Sequence, residues 1–276
     1  MAVLPGDRLT AAYRAAQVRN AALLAAKLRR RYSGVDLASP QSQRNFLDLA
    51  VQDVVMHHGR AQDQAVVYLD ALQPLEAGRD LVVVERGPAP NLEQIRTSLA
   101  VMGPVKGRQR EARIQSDPTS ARGAFDRRVA ARKTTADVMG AGIRHAQNGA
   151  RDTVTQYVER DARAKGYVRV TANDENVCFF CAMLASRVYW KAGSFDDSDD
   201  QFEGIGTAKV HDACRCHMRP IYSMVLPNET IAYRDAWAAL STEAIDGENR
   251  GALKNFRSQW EKRQRERVAG QPSRVA

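Results

Sequence analysis

A chain of 276 residues with 44% hydrophobic content is long enough to bury a core and has room to divide into two units. Its formal net charge of +9 and sequence pI near 9.6 point to a polyanionic neighbour, either nucleic acid or an acidic protein surface. No run of about eighteen apolar residues occurs. The longest are short segments such as Leu81 to Val84, which excludes a membrane-spanning helix.

Residues 5–31 place Leu9, Ala12, Tyr13, Ala16, Leu23 and Leu28 at helical spacing until Ser33-Gly34 stops the pattern, which predicts one long helix. Ser39-Pro40 then supplies an N-cap and a first-turn proline. The stretch to Leu72, with Phe46, Leu47, Val51, Val54 and Val55, reads as one or two helices carrying His57-His58 on a solvated face. Pro74, Gly78 and Gly87-Pro88-Ala89-Pro90 punctuate the next segment, and Asn91 to Met102 predicts a further short helix. From Ser116-Asp117-Pro118 a long, mostly helical region carries Phe125, Val129, Val138, Ile143 and Val154 to about Lys165, with Gly140, Gly142 and Gly149 as places where it can break.

After Gly166 the texture changes. Tyr167-Val168-Arg169-Val170 alternates as a strand does, Ala208 to Val210 is a second alternating piece, and Arg219-Pro220-Ile221-Tyr222 closes the region. Beyond Pro227-Asn228 the chain returns to helix, broken near Gly247, and frays from Gly270 onward. Trp190, Trp237 and Trp260 read as core or interface residues, and no internal repeat is present. The fold class is mainly α with a small α+β module. The expected units are an N-terminal helical domain (1–115), the module (116–225), and C-terminal helices with a basic tail (226–276).

The charge is unevenly placed. From Lys106 to Lys133 nine basic residues face three acidic ones, and from Lys254 to Arg274 seven face two. Arg127, Arg128, Arg132 and Lys133 in the first patch, and Lys262, Arg263, Arg265 and Arg267 in the second, are the candidate contacts to a polyanion; the plainer account is two solvated helical faces. An acidic loop, Asp196, Asp197, Asp199, Asp200 and Glu203, offsets part of the excess.

All four cysteines fall in one stretch, as Cys178-Phe179-Phe180-Cys181 and His211-Asp212-Ala213-Cys214-Arg215-Cys216. Two cysteines three positions apart can turn both sulfurs toward one tetrahedral ion, and a second cluster about thirty residues later can supply the rest. Thiolates with one imidazole favour zinc over hard cations. Five donors, Cys178, Cys181, His211, Cys214 and Cys216, compete for four places. In an extended segment Cys214 and Cys216 face the same way; if both bind, His211 is left over for another role, and if only one binds, His211 is the fourth ligand. His217 reads as an ordinary polar residue. Two disulfides or four inert core cysteines are the alternatives. No apolar signal segment precedes the polar opening helix, so synthesis in a reducing cytoplasm is expected, and the pairing in sequence argues against inert thiols.

With these residues in hand, Val177 to Arg187 followed by His211-Asp212-Ala213-Cys214-Arg215-Cys216 resembles the phage Mu F-like minor head proteins, especially those of actinobacterial tailed phages. The resemblance covers roughly residues 117 to 225. All five Cys/His positions of that signature are present, while Asp212-Ala213 departs from the proline or asparagine usual between its His and Cys. It implies a minor head component made in the host cytoplasm, placed at the portal vertex of the virion head. A structural zinc site, portal and major capsid or scaffold proteins as partners, and non-specific contact with packaged double-stranded DNA go with it. The basic patches permit the DNA contact on their own account. No aromatic interleaving marks a single-strand stacking platform.

Relatives of this kind are also described as capsid maturation proteases. A cysteine protease pairs a thiolate with a histidine, and His211 with Cys214 or Cys216 would supply both. Zinc on those thiolates would leave none to attack, and a closed four-ligand site has no open position for water. A zinc hydrolase would need a general base, for which Glu175 or Asp212 is available. No His-Glu-x-x-His helix or Gly-x-Ser-x-Gly elbow exists, although a serine triad using His57 or His58 would leave no sequence signature. A cellular zinc-ribbon DNA-binding protein is the third reading. The expectation is a structural protein rather than an enzyme.

Overall fold

The computed structural model describes residues 4–116, 123–172, 177–191, 214, 216–242 and 251–269. The chain is mostly helical with a small three-stranded antiparallel sheet, as its sequence pattern predicts. Helices α1 (Asp7–Ser33), α2 (Pro40–Glu76) and α5 (Gly123–Arg160) pack along one another, and α3 (Leu92–Ala100) and α4 (Lys106–Gln115) cover one end. The sheet runs β2 (Val188–Trp190), β1 (Gly166–Val170), β3 (His217–Ile221), and α6 (Phe179–Ala185), α7 (Asn228–Thr242) and α8 (Ala252–Ala269) pack on one another beside it, α7 also reaching the bundle through an Arg14–Glu229 ion pair. In register, Val168 lies opposite both Val188 and Arg219. The expected cap at Asp117-Pro118, the alternating piece at 208–210, the break near Gly247 and the tail beyond Gly270 lie outside the described residues.

Each helix end has a local cause. Ser39 accepts the Ser42 N–H at 3.2 Å, Pro40 occupies the first turn, and the result is one helix of 37 residues rather than two. Pro74 removes a donor from its last turn, and the chain reverses at Gly78, where φ is +92°. Asn91 caps α3 through the Gln94 N–H. The helix does not reach Met102 as α-helix: Val101–Val105 forms a π-helical turn around buried Gly103 and Pro104, the proline having no N–H to give to a regular ladder.

Two apolar clusters fill the bundle. Leu24, Leu28, Phe46, Val54, Ile95, Leu99 and Val138 form one; Tyr13, Ala61, Leu69, Leu72, Val154, Tyr157 and Met218 of β3 form the other, so bundle and sheet share a core. Glycines 140, 142 and 149 do not break α5. They lie on its buried face, where a small residue lets the helices close up: a Cβ at Gly149 would sit 2.6 Å from the His58 carbonyl oxygen.

His57 and His58 are buried, not solvated, because α2 packs against both α1 and α5 and these two positions lie on the faces turned to them, while Met56 and Arg60 keep its outer face exposed. The Asn20 amide donates to the His57 carbonyl, and its oxygen then accepts from His57 Nδ1 at 2.7 Å. That leaves Nε2 as the bare, buried nitrogen, so a second proton has no acceptor. Burial, with Lys27 and Arg60 nearby, lowers the His57 pKa below 6.5. The unfolded chain takes up this proton as pH falls through about 6.5 while the folded one does not, so stability drops on acidification, by at most about 1.4 kcal/mol per pH unit. Thermal melts between pH 7 and 5 should show this slope, and His57→Gln should flatten it. Asp53 and Asp161, whose pKa values are depressed below 3.8, add their loss only at lower pH.

Candidate metal centre

The Cys-x-x-Cys pair is built into the start of α6. Cys178 is the N-cap in extended conformation, its Sγ accepting the Cys181 N–H at 3.3 Å, which puts Cys181 in the first turn beneath it. The second pair arrives on the segment entering β3, where Cys214 and Cys216 both turn inward, 1% and 2% exposed. The Sγ atoms of Cys181, Cys214 and Cys216 all lie within 4.8 Å of one another, and those of Cys181 and Cys214 are 3.8 Å apart. Two sulfurs on a tetrahedral ion with about 2.3 Å bonds stand about 3.8 Å apart. Three buried cysteines are thus placed where they could hold one metal ion, with half-buried Cys178 beside them for the fourth position. His211, the other candidate for that place, lies outside the described residues, as do Asp212, Glu175 and the acidic loop at 196–203.

The thiols compete for protons at this spacing. Hydrogen bonding to Cys178, Cys214 and Cys216, with burial, pushes the Cys181 thiol far above its ordinary range. Hydrogen bonds from Cys181 and Cys216, and the nearby Arg151 charge, pull Cys214 well below it.

Arg151, on α5 and 2% exposed, is a residue of the candidate site that the sequence pattern does not reveal. Its guanidinium donates to the Cys216 carbonyl at 3.1 Å and the Cys214 carbonyl at 2.9 Å, and to the side-chain oxygens of Asn148 and Gln147. It therefore clamps the segment bearing the second cysteine pair onto the bundle and places a buried positive charge against the sulfurs. Four thiolates on a divalent ion carry net charge −2, which such a cation partly offsets. One arginine in a helical stretch gives no sequence signal for this.

The other side of the cluster is closed by the C-terminal helices. Leu240, Phe256 and Trp260 pack on Cys181, Met183 and Leu184, and Trp260 Nε1 donates to the Val177 carbonyl at 2.8 Å. Phe256 stacks on Trp260 and meets Trp237 at a tilt, with Arg187 over the Trp237 ring. His217, the first residue of β3, is 2% exposed and meets Tyr13 edge-on, so it is packed in the core rather than being an ordinary polar residue.

The basic candidates are exposed and do not belong to the cysteine cluster, although those on α8 follow Trp260, which does. Arg127, Arg128, Arg132 and Lys133 are exposed on the first half of α5, and Lys262, Arg263, Arg265 and Arg267 on the outer half of α8. Part of the first patch is neutralised internally, since Arg110 pairs with Asp137 at 2.7 Å and Lys106 reaches the same carboxylate at 3.6 Å. Arg127 also borders a cavity of about 490 Å³ between the α1–α2 turn, α4 and α5. No helix among the described residues is long and apolar enough to cross a membrane.

A family model described as VG15 protein matches residues 7–244, from the first residue of α1 to just beyond α7. No curated protein and no solved structure matches the chain.

Proposed function

The chain belongs to the VG15 protein family, a group of phage-related viral proteins, and from that premise we propose that it is a minor structural protein of a tailed-phage head, held at the portal vertex. The observation that carries the reading is the cysteine cluster joining three parts of the fold: α6, the segment entering β3 and the C-terminal helices meet at it, and Arg151 ties it to the bundle. In this reading the ion is zinc and its role is structural, since its neighbours are core side chains. The depth of Cys214, 1% exposed, supports structural use over attack on a peptide. The bundle and α8 then present their basic faces to the partner proteins and to packaged duplex DNA.

The direct test is quantitative mass spectrometry of purified heads of the encoding phage. The chain should be present at a few copies per head and should co-purify with the portal protein after mild disruption; its absence from heads removes the reading. DNA contact makes a separate expectation. Changing Arg263, Arg265 and Arg267 to Gln should weaken binding to duplex DNA of any sequence and reduce the slope of log K against log salt by up to about 3. An unaltered slope would assign the tail to protein docking.

A further inference from the structure

Between Gly78 and Pro88 the chain forms neither helix nor sheet, but residues 81–85 alternate between exposed and half-buried as extended backbone does, and one edge of this strap is held by side chains of α2 and of the turn after α5. The Val82 N–H donates to Gln73 Oε1 at 2.7 Å, the Val82 carbonyl accepts from Gln73 Nε2 at 2.9 Å, and the Asp80 carbonyl accepts from Arg163. In extended backbone, alternate residues direct their N–H and C=O to opposite edges. The corresponding groups of Leu81 and Val83 therefore point the other way, where no partner for them occurs among the described residues. Val82 and Val84 pack on the lower bundle cluster, while Leu81 and Val83 are 61% and 79% exposed. An open, apolar, β-branched edge is a pairing surface that folds ordinarily blunt.

The flanking charges indicate what pairs with it. The strap reads Arg79-Asp80-Leu81-Val82-Val83-Val84-Glu85-Arg86. We propose that this edge pairs antiparallel with the same edge of a second copy of the chain, with Val82 opposite Val82, Leu81 opposite Val83 and Arg79 opposite Glu85. All four open backbone groups of Leu81 and Val83 are then bonded in each copy, their side chains meet on the outer face, and two Arg–Glu pairs flank them. Shifting by one residue sets Arg79 against Arg86 and Asp80 against Glu85, and brings outward residues against inward ones. Shifting by two sets Leu81 against Glu85. Glu85 already pairs with Arg160 at an exposed site, a contact worth little to give up. The ladder is short, bounded by Gly78 and by Gly87-Pro88, so the dimer is weak and concentration-dependent.

Sedimentation equilibrium of the full chain over a wide concentration range should show mass rising from one copy toward two. Val83→Pro removes an N–H that has no partner within the described residues and should hold the protein monomeric with an unchanged melt. Arg79→Glu should weaken association about tenfold, by setting like charges opposite one another twice, and Arg79→Glu with Glu85→Arg should restore it. A monomer at every concentration overturns the proposal and leaves the edge to a different protein. So does a dimer insensitive to Val83→Pro, or a double exchange that fails to restore association.

Discussion

Cys181→Ser is expected to abolish stoichiometric zinc and to unfold the cysteine module with α7 and α8, while the α1–α2–α5 bundle remains helical. Cys181 is the sulfur common to both halves of the site: it sits beneath Cys178 in the first turn of α6 and stands 3.8 Å from Cys214. A structural zinc site supplies about 10–16 kcal/mol of folding free energy in zinc-finger peptides, and losing one ligand of four removes a large part of it. What remains to hold α6, α7 and α8 is the apolar cluster around Leu240, Phe256 and Trp260, together with the Glu229 carboxylate of α7, which pairs with Arg14 and accepts from Thr171. The bundle clusters contain none of the cysteines, which is why they should survive.

The readouts are zinc content, tryptophan fluorescence and limited proteolysis. Trp237 and Trp260 pack in the same cluster as the cysteines, so opening the module should shift their emission to the red and expose the C-terminal helices to cleavage. Treating the unmodified protein with a chelator should reproduce the variant. If the chelator leaves fluorescence and cleavage unchanged while Cys181→Ser alters them, the sulfur acts through packing and not through a metal. If neither changes anything, the cluster is not a structural metal site.

How much of the fold is legible in the sequence depends on whether a feature is local. Ser39-Pro40, Asn91 and the Cys-x-x-Cys pair act within one helical turn, and each stands where the pattern puts it. The Tyr167 to Val170 alternation locates β1, although Arg169 within it is fully buried, its guanidinium over the Tyr189 ring. Strand β2 has no such signal, since Val188-Tyr189-Trp190 is only three residues and its pairing with β1 is what makes it a strand. The expectation of solvated His57 and His58 fails because it gives α2 one buried face, whereas a helix flanked on two sides buries two. Arg151 and Arg219 carry the same lesson: a charge at a single position reads as solvent-facing until the fold brings its acceptors to it.

Arg219 is the position where that hidden chemistry should cost most outside the metal site. It lies on β3 at 2% side-chain exposure, with Asp7 of α1 at 2.5 Å and Glu76 of α2 at 2.6 Å, and Glu76 also accepts the Gly6 N–H at 3.0 Å. Burial alone would lower the Arg219 pKa, but Tyr68, Glu76 and Asp7 hold it above its ordinary value. The first turn of α1, the last turn of α2 and the sheet thus converge on one guanidinium. Arg219→Met keeps most of the volume and strands two carboxylates, one nearly buried, so it should destabilise the protein by about 3–5 kcal/mol in denaturant titrations. Adding Glu76→Gln and Asp7→Asn to Arg219→Met should recover a large part of that loss, because the penalty comes from the uncompensated charges rather than from the missing attraction. If the triple variant is no more stable than Arg219→Met alone, the arginine holds the three elements together through its geometry and not by neutralising them.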